Sequence, residues 1–311
     1  MAPFWLKSPL LALLFTAFVG AAPVSAQEIT VPRELTCEDW RRFADADWHR
    51  HAETLNALDV CLSYEPVVAG GIVWRLVRLQ RTAAVPAPAP LIIVLHDNED
   101  AALVGALSVL ALYDVQIVTI DADEDRLWQG VDPNRMFVEP GAIIDGCPNA
   151  DALDAAFATA VLRDWTGRDP ILSLHSNAPG IAGDGAGGRG SISLLRPGPG
   201  QLAFAGAPVA TEPQLADPDN LIYITGPTAH PNLEQRTRIG QMQAAGLNVL
   251  YSRIDPRAQD CSLSDFLTLR GQSDLYFNVE VEEGSVSSAL GLVRRLMGVL
   301  YPLPATRSDG T

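Results

Sequence analysis

The chain is poor in lysine and histidine: it has one lysine, Lys7, and five histidines among 311 residues. Every other basic residue is arginine, and 37 acidic residues outweigh the 22 basic ones to give a formal net charge of −15. A field this negative argues against nucleic acid or an anionic lipid surface as the partner. Beyond the first 26 residues, no apolar run is long enough to span a bilayer. We therefore expect neither a nucleic-acid-binding protein nor stable membrane insertion of the mature chain.

Two catalytic motifs are also absent. The glycine-rich segment 180–190 lacks the Gly-Lys-Ser/Thr sequence of a phosphate-binding loop, so it is interpreted as a mobile loop that could close over a site. The chain has no Gly-x-Ser-x-Gly elbow, and Ser191 has no recognisable catalytic partner, which argues against a serine hydrolase. Nothing repeats internally, and the length suits one large α/β domain.

The N-terminus has the pattern of a secretory signal. Lys7 precedes the apolar run 10–20, which is short for a membrane-spanning helix, and small residues follow up to Ala26. We predict a signal peptide over residues 1–26 with cleavage after Ala26, and a periplasmic or secreted mature protein. An uncleaved membrane anchor is the alternative.

The cysteines fit an exported protein. All four lie beyond the predicted signal, and no two are close enough in sequence for a zinc ribbon. We favour disulfides Cys37–Cys61 and Cys147–Cys261, although the sequence leaves the other two pairings open.

Apolar segments of strand length alternate with helical segments along most of the chain. Strands are predicted at 72–79, 91–95, 115–120, 171–174, 221–224, 249–251 and 275–282. Helices are predicted at 101–113, 150–165, 232–245 and 285–301, with Gly246 as the C-cap of the third. This alternation predicts an α/β fold with a mixed, largely parallel sheet and helices on both faces. The predicted organisation is a helical cap over 27–69, the main domain over 70–303 and a tail over 304–311.

Candidate metal ligands follow two of these strands. His96-Asp97-Asn98-Glu99 comes directly after strand 91–95, and His175 comes directly after strand 171–174. Sites in such sheets form at the carboxyl ends of strands. Two imidazoles and a carboxylate are a ligand set that a catalytic zinc uses while keeping a fourth position for water. The alternative is two core histidines bonded to nearby backbone, with Asp97 either orienting a ligand or capping the next helix.

Two further segments add polar groups suited to catalysis. Asn134 and Arg135 lie between the histidine motifs, and the planar fork of arginine suits a carboxylate; the alternative is an ion pair of Arg135 with Asp132. In strand 275–282, alternation puts Glu280 and Glu282 on one face, as candidates for a general base. Glu280 is favoured, and Glu282 stays the alternative.

Taken in order, these motifs resemble those of the zinc carboxypeptidase and succinylglutamate desuccinylase/aspartoacylase superfamily. That family has His-x-x-Glu, then Asp-x-Asn-Arg-x-Phe, then a histidine after a strand and a glutamate on a late strand. The resemblance covers about residues 70 to 300, and the matching positions are His96, Glu99, Asn134, Arg135, His175 and Glu280.

The resemblance implies a zinc carboxypeptidase-like catalytic domain with one zinc ion (Zn²⁺) per chain. His96, Glu99 and His175 would be its ligands, and Glu280 would be the general base. Asn134 and Arg135 would anchor a free carboxylate of the substrate.

The resemblance also implies an arginine that steadies the oxyanion, for which Arg126 is the nearest candidate although its spacing departs from the peptidase pattern. Tyr251 is considered for the tyrosine that the digestive enzymes place over the substrate. The short interval from Glu99 to His175 resembles the compact deacylase branch. We therefore expect an amidohydrolase or carboxypeptidase that acts on short peptides or N-acyl amino acids. The alternative is an exported non-catalytic metal- or peptide-binding protein with the same fold.

Overall fold

A computed structural model describes residues 36–82, 90–142, 146–148, 150–177 and 192–302. The predicted signal peptide, the glycine-rich segment and the predicted tail lie outside these residues. Among the described residues, no helix has the length and apolar character needed to cross a membrane.

The described residues contain nine strands and seven α-helices. The strands are β1 (Val60–Ala69), β2 (Ile72–Arg81), β3 (Leu91–Val94), β4 (Gln116–Ile120), β5 (Ile171–Asn177), β6 (Gln201–Phe204), β7 (Leu221–Gly226), β8 (Val249–Arg253) and β9 (Tyr276–Glu282). The helices are α1 (Ala46–Arg50), α2 (Ala52–Ala57), α3 (Asp100–Leu110), α4 (Ala155–Val161), α5 (Leu233–Ala244), α6 (Leu263–Leu269) and α7 (Val286–Leu300).

All nine strands form one mixed sheet, in the order β1-β2-β4-β3-β5-β9-β7-β8-β6. The pairs β4–β3, β3–β5, β5–β9 and β7–β8 are parallel. The pairs β1–β2, β2–β4, β9–β7 and β8–β6 are antiparallel. The predicted mixed α/β sheet is therefore confirmed, and its parallel run β4-β3-β5-β9 puts the carboxyl ends of four strands side by side.

Helices cover both faces of the sheet, as predicted. On one face, α3, α5 and α7 pack with apolar side chains of the strands, including Leu172 and Val279. On the other face, α4 and α6 pack against a second core that includes Ile93, Ile171 and Tyr276. In the central strands, alternate residues belong to opposite cores, so both faces of these strands are buried and most of their residues are apolar.

Side chains at the helix starts explain where several helices begin. Asp154 accepts a hydrogen bond from the backbone N–H of Ala156 at the start of α4, and Ser262 caps α6 in the same way. Asn232 and Gln235 form a reciprocal capping box at the start of α5. The predicted end of this helix at Gly246 agrees with the structure, where Gly246 has a φ of +81°.

The structure corrects three details of the predicted elements. The predicted helical cap ends at residue 69, but residues 60–69 form β1 and pair along their whole length with β2. The helix predicted over 150–165 is shorter, because α4 covers only Ala155–Val161. The short elements β6 and α6 were not predicted.

Both favoured disulfides are present. Cys37–Cys61 ties the start of the described chain to β1, and Cys147–Cys261 ties residue 147 to the turn before α6. The two preferred pairings are thus confirmed. The second bond also supports the segment that carries Asn134 and Arg135, because the backbone N–H of Phe137 donates to the carbonyl of Cys261 at 3.0 Å.

Candidate metal centre

The site lies at the carboxyl ends of β3, β5 and β9, which are neighbours in the sheet. His96 follows β3 by two residues and Glu99 directly precedes α3, so the turn between them carries both side chains. His175 lies on β5, and Glu280 is its register partner on β9. All four residues are buried, with exposed fractions of 1% to 6%. Residues that are 184 positions apart in sequence therefore meet at one edge.

In three of these residues, the side-chain atoms that could bind a metal point at each other. His96 Nδ1 lies 2.9 Å from Glu99 Oε1 and 3.2 Å from His175 Nδ1. His175 Nδ1 lies 3.3 Å from Glu99 Oε2. The second glutamate oxygen also accepts the backbone N–H of Ser176 at 3.0 Å, which fixes the carboxylate. The predicted ligands are thus brought together by the fold.

The outward nitrogens of both rings have their own partners. His96 Nε2 lies 2.9 Å from Asp132 Oδ1, and His175 Nε2 lies 2.9 Å from Ser173 Oγ. Asp132 also accepts the backbone N–H of Asn134 at 2.8 Å, so the histidine and the following turn share one carboxylate. Both rings are therefore held with Nδ1 facing inward.

The electrostatics of the cluster favour charged carboxylates beside the imidazoles. Burial lowers the pKa of His96, but the charge of Glu99 and hydrogen bonds to Asp132 and Glu99 outweigh it and raise the pKa above its ordinary value. Burial acts against ionisation of Glu99, yet the two histidines hold the pKa of that carboxyl well below its usual range. The pKa of Asp132 falls to about 2, because the hydrogen bond with His96 and nearby positive charge outweigh burial.

The donor set and its spacing fit zinc. Two histidine nitrogens and a carboxylate are a common set for catalytic zinc, and bond lengths near 2.0–2.1 Å in a tetrahedral arrangement put ligand atoms about 3.4 Å apart. The distances between donor atoms of different residues are 2.9, 3.2 and 3.3 Å. Asp132, the partner of His96 Nε2, is a carboxylate of the kind that often holds a zinc-binding histidine.

Glu280 lies on the strand next to His175, and its side chain is held by a neighbour. Asn278 Nδ2 donates to Glu280 Oε1 at 2.8 Å. Burial raises the pKa of Glu280, the charge of His175 lowers it and the charge of Glu99 raises it; the net shift is upward. Glu282, the alternative base, is less buried and sits opposite Asn177 at the strand end. The predicted alternation of this strand agrees with the structure, since Phe277, Val279 and Val281 belong to the opposite core.

The three other predicted site residues lie outside the sheet, with Arg126 on a loop and Asn134 and Arg135 in one turn of 3₁₀ helix. Arg126 Nη1 donates to Glu99 Oε1 at 2.7 Å, and 45% of its side chain is exposed. Arg135 Nη2 lies 3.5 Å from Asp260, and its Nη1 donates to the carbonyl of Asn134. Asn134 Oδ1 accepts the backbone N–H of Leu263 at 3.1 Å. The ion pair of Arg135 is thus made with Asp260 rather than with Asp132.

Comparison with known proteins finds solved structures that are similar to this chain at low sequence identity. No family model and no curated protein matches the chain. A solved structure from Shewanella amazonensis, described as a proposed metallopeptidase, is 16% identical with a TM-score of 0.46, covering 83% of this chain and 93% of its own.

Two more structures are similar at the same level. A metallo-carboxypeptidase from Burkholderia cenocepacia is 13% identical with a TM-score of 0.43, covering 81% of this chain and 68% of its own. An aspartoacylase family protein from Mesorhizobium loti is 14% identical with a TM-score of 0.42, covering 79% and 68%. These names match the superfamily that the motifs resemble. At such identities and TM-scores, the likeness assigns no activity, metal or substrate to this chain.

Asp97 and Tyr251 make contacts other than those expected from the sequence. Asp97 does not cap α3; its Oδ2 accepts the backbone N–H groups of Ala122 and Glu124 at 2.8 and 2.7 Å and so holds the turn after β4. Tyr251 is fully buried, and its hydroxyl donates to the carbonyl of Thr228. The interpretation of Tyr251 as a residue over the substrate is therefore wrong.

Three side chains that support the site were not predicted from the sequence: Asp132, Ser173 and Asn278. Asp132 begins the Asp-x-Asn-Arg motif, but it was considered only as a partner of Arg135. Ser173 and Asn278 each lie two residues before a functional candidate on the same strand. Because residues i and i+2 share a face of a strand, that spacing was a usable signal for both.

Proposed function

We propose that this protein is an exported zinc-dependent hydrolase that cleaves an amide bond next to a free carboxylate, in a short peptide or an N-acyl amino acid. The observation that carries the proposal is the convergence of His96, Glu99 and His175, with a buried glutamate on the adjacent strand. A zinc ion at these ligands would lower the pKa of a water molecule toward about 7 and polarise the scissile carbonyl.

Glu280 is assigned as the general base. Its carboxylate takes the proton of the attacking water and returns it to the leaving amine. Burial raises its pKa, which makes the carboxylate a stronger base than an exposed glutamate. Asn278 holds one of its oxygens, so the other is free to face the substrate.

Substrate binding is assigned to Asn134 and Arg135, with Arg126 as the group that steadies the developing oxyanion. The contact of Arg135 with Asp260 is long, and the Asp260 side chain is 48% exposed. Partly exposed ion pairs contribute little free energy, so a substrate carboxylate can replace Asp260 as the partner of Arg135. Arg126 is partly exposed and touches Glu99, so its guanidinium lies at the rim of the metal centre.

Export is part of the proposal. Two disulfides support it, because structural disulfides persist mainly in oxidising compartments. The predicted signal over residues 1–26 agrees with that location. A periplasmic or extracellular enzyme of this type would act on short peptides or acylated amino acids present outside the cytoplasm.

The metal content of the purified protein, measured beside that of His175→Ala, tests the ligand set. One zinc per chain, lost in the variant, is the expected result. If the unaltered protein takes up no zinc on reconstitution, the proposal is wrong.

Turnover of a panel of short peptides and N-acyl amino acids then tests catalysis. Glu280→Gln should keep zinc and lose about 10²–10⁴-fold in kcat, the usual contribution of general acid–base catalysis. Glu282→Gln is the matched control and should keep most activity. A zinc-loaded protein without turnover on the panel would instead favour the non-catalytic binding protein.

A further inference from the structure

The chain around the start of α6 contacts the turn that carries Asn134 and Arg135. The backbone N–H of Leu263, the first residue of α6, donates to Asn134 Oδ1 at 3.1 Å. Just after the turn, the backbone N–H of Phe137 donates to the carbonyl of Cys261 at 3.0 Å. Because Asn134 and Leu263 are 129 positions apart in sequence, these contacts depend on how the two segments are held together in space.

The hydrogen bond from Leu263 decides which end of the Asn134 amide is left for a ligand. An asparagine side chain has one oxygen that accepts and one NH₂ group that donates. Since the oxygen accepts the N–H of Leu263, the NH₂ group is the end that remains for other partners. An ionised carboxylate only accepts hydrogen bonds, so it needs this NH₂ group. Without the N–H of Leu263, the amide would be free to turn over and present its oxygen to the carboxylate.

The segment before α6, residues 260–262, also holds the partner of Arg135. Asp260 Oδ2 lies 3.5 Å from Arg135 Nη2. The other oxygen of Asp260 accepts the backbone N–H of Ser262 at 2.9 Å, and the backbone N–H of Asp260 donates to Asp265 Oδ2 at 2.9 Å. The position of Asp260 beside Arg135 is therefore fixed by contacts within this part of the chain.

Cys261 has a backbone conformation that residues with a side chain rarely adopt. Its φ is +58°, in the left-handed region that favours glycine. The residue is 1% exposed, and with Cys147 and Val138 it forms a small apolar cluster apart from the two main cores. A non-glycine residue keeps such a conformation only where its surroundings impose it. The disulfide with Cys147 and the hydrogen bond from Phe137 supply that constraint.

We infer that residues 260–263, anchored by the Cys147–Cys261 disulfide, position Asn134 and Arg135 for a free carboxylate of the substrate. The inference rests on the proposed function, because that function assigns the carboxylate to these two residues. None of the contacts that carry it involves a candidate metal ligand. Loss of the anchor should therefore weaken binding of the carboxylate and leave the zinc content unchanged.

A pair of ligands that differ only at the carboxylate measures this effect. N-acetylglycine has the free carboxylate, and N-acetylglycinamide has an amide in its place. Their dissociation constants are measured by NMR titration of zinc-loaded protein that carries Glu280→Gln in every case, so that neither ligand is hydrolysed. The ratio of the two constants gives the preference for the carboxylate. A change that only destabilises the fold leaves this ratio unchanged in the folded protein, whereas a displaced Asn134 or Arg135 lowers it.

The first comparison removes each disulfide in turn. Cys147→Ser with Cys261→Ser should lower the preference for N-acetylglycine about tenfold, since a displacement of about 1 Å in a positioning group can cost on the order of 100-fold. Cys37→Ser with Cys61→Ser is the matched control, because that bond ties the start of the described chain to β1. It should change the preference by less than about twofold, as expected for a distant and independent position.

The second comparison keeps both disulfides and removes one hydrogen bond. Leu263→Pro deletes the N–H that Asn134 accepts, and proline suits the first position of a helix when the preceding residue is extended, as Ser262 is. Leu263→Ala is the matched control, since it also loses the buried leucine side chain but keeps the N–H. Leu263→Pro should lower the preference about 3- to 10-fold, the range of one hydrogen bond, and Leu263→Ala should stay within about twofold.

A preference that is kept in Leu263→Pro, or lost equally in Leu263→Ala, would overturn the inference, and this comparison decides if the Cys147 and Cys261 variant does not fold. A preference kept in that variant when it is folded, or lost equally in the Cys37 and Cys61 control, would overturn it too.

The inference and the proposed function fail in different ways. If the parent protein with Glu280→Gln alone binds both ligands equally, the proposed carboxylate site is wrong and the inference is wrong with it. If the parent protein prefers N-acetylglycine and no variant changes that preference, only the role of residues 260–263 is refuted and the proposed function stands.

Discussion

Replacing Arg78 with methionine is expected to lower the free energy of unfolding by about 3–5 kcal/mol. The Arg78 side chain is fully buried on β2, and its guanidinium lies 3.0 Å from Asp164 and 3.1 Å from Glu65. It also donates to the carbonyl of Ala160 at the end of α4. Methionine fills a similar volume but leaves Asp164, whose side chain is 4% exposed, without its closest cation. The buried carboxylate of Asp164, without Arg78, accounts for the expected decrease in the free energy of unfolding.

The assay is chemical denaturation with both disulfides intact. The free energies of unfolding are compared between variants whose m-values, the slopes against denaturant concentration, are equal. Arg41→Met is the matched control, since Arg41 is 57% exposed in its pair with Asp39 and should cost less than about 1 kcal/mol. The double variant Arg78→Met with Asp164→Leu should recover most of the stability, because it removes both buried charges together. A loss below about 1 kcal/mol in Arg78→Met, or no recovery in the double variant, would refute this reasoning.

Three further predictions concern the candidate site, Asp47 on α1 and the second disulfide. Asp132→Asn should weaken zinc binding about 10–100-fold in chelator competition, because His96 loses a charged partner; unchanged affinity would contradict that role. Burial and the charge of Asp45 raise the pKa of Asp47 to about 8, so the folded protein keeps a proton that the unfolded chain releases near pH 4. The contribution of Asp47 to the free energy of unfolding should therefore fall from pH 4 to pH 8. In denaturation at several pH values, Asp47→Asn should reduce the dependence of this free energy on pH by up to about 1.4 kcal/mol per pH unit. The same pH dependence in both proteins would count against this role of Asp47. Replacing Cys147 and Cys261 with serine should cost about 4–5 kcal/mol of stability, because the bond closes a loop with a sequence separation of 114; a loss under about 1 kcal/mol in the same assay would exclude this constraint.

The central strands were predictable because their apolar runs are short and bounded by turns. Residues 91–95 and 171–174 have four or five apolar or small residues in a row, as expected for strands buried on both faces. The edge of the sheet was harder. β1 contains Pro66 and several exposed positions, which obscure the alternation, and proline is tolerated there because β1 is an edge strand. Only its pairing with β2 identifies it as a strand.

The residue types of the candidate site were predictable from the sequence, but the contacts between residues far apart in the chain were not. His-x-x-Glu lies within a single turn, so the spacing alone puts His96 near Glu99. The contact of His96 with Asp132 crosses 36 residues and depends on how the chain returns after β4. The partner of Arg135 was also outside the reach of sequence, since Asp260 is brought beside it by the turn before α6.

The chemistry of the site depends on the two apolar cores as much as on its polar residues. On β5, Leu172 and Leu174 belong to one core and Ile171 belongs to the other, so the strand can sit in one register only. A slip by one residue would turn Ser173 and His175 toward the core that now holds the leucines, and would turn the leucines toward the candidate metal ligands. The same holds on β9, where Val279 and Val281 flank Glu280 and face the opposite core. The alternation of apolar side chains therefore selects which polar side chains reach the site, and the hydrogen bond between Ser173 and His175 forms because both residues lie on the same face of β5.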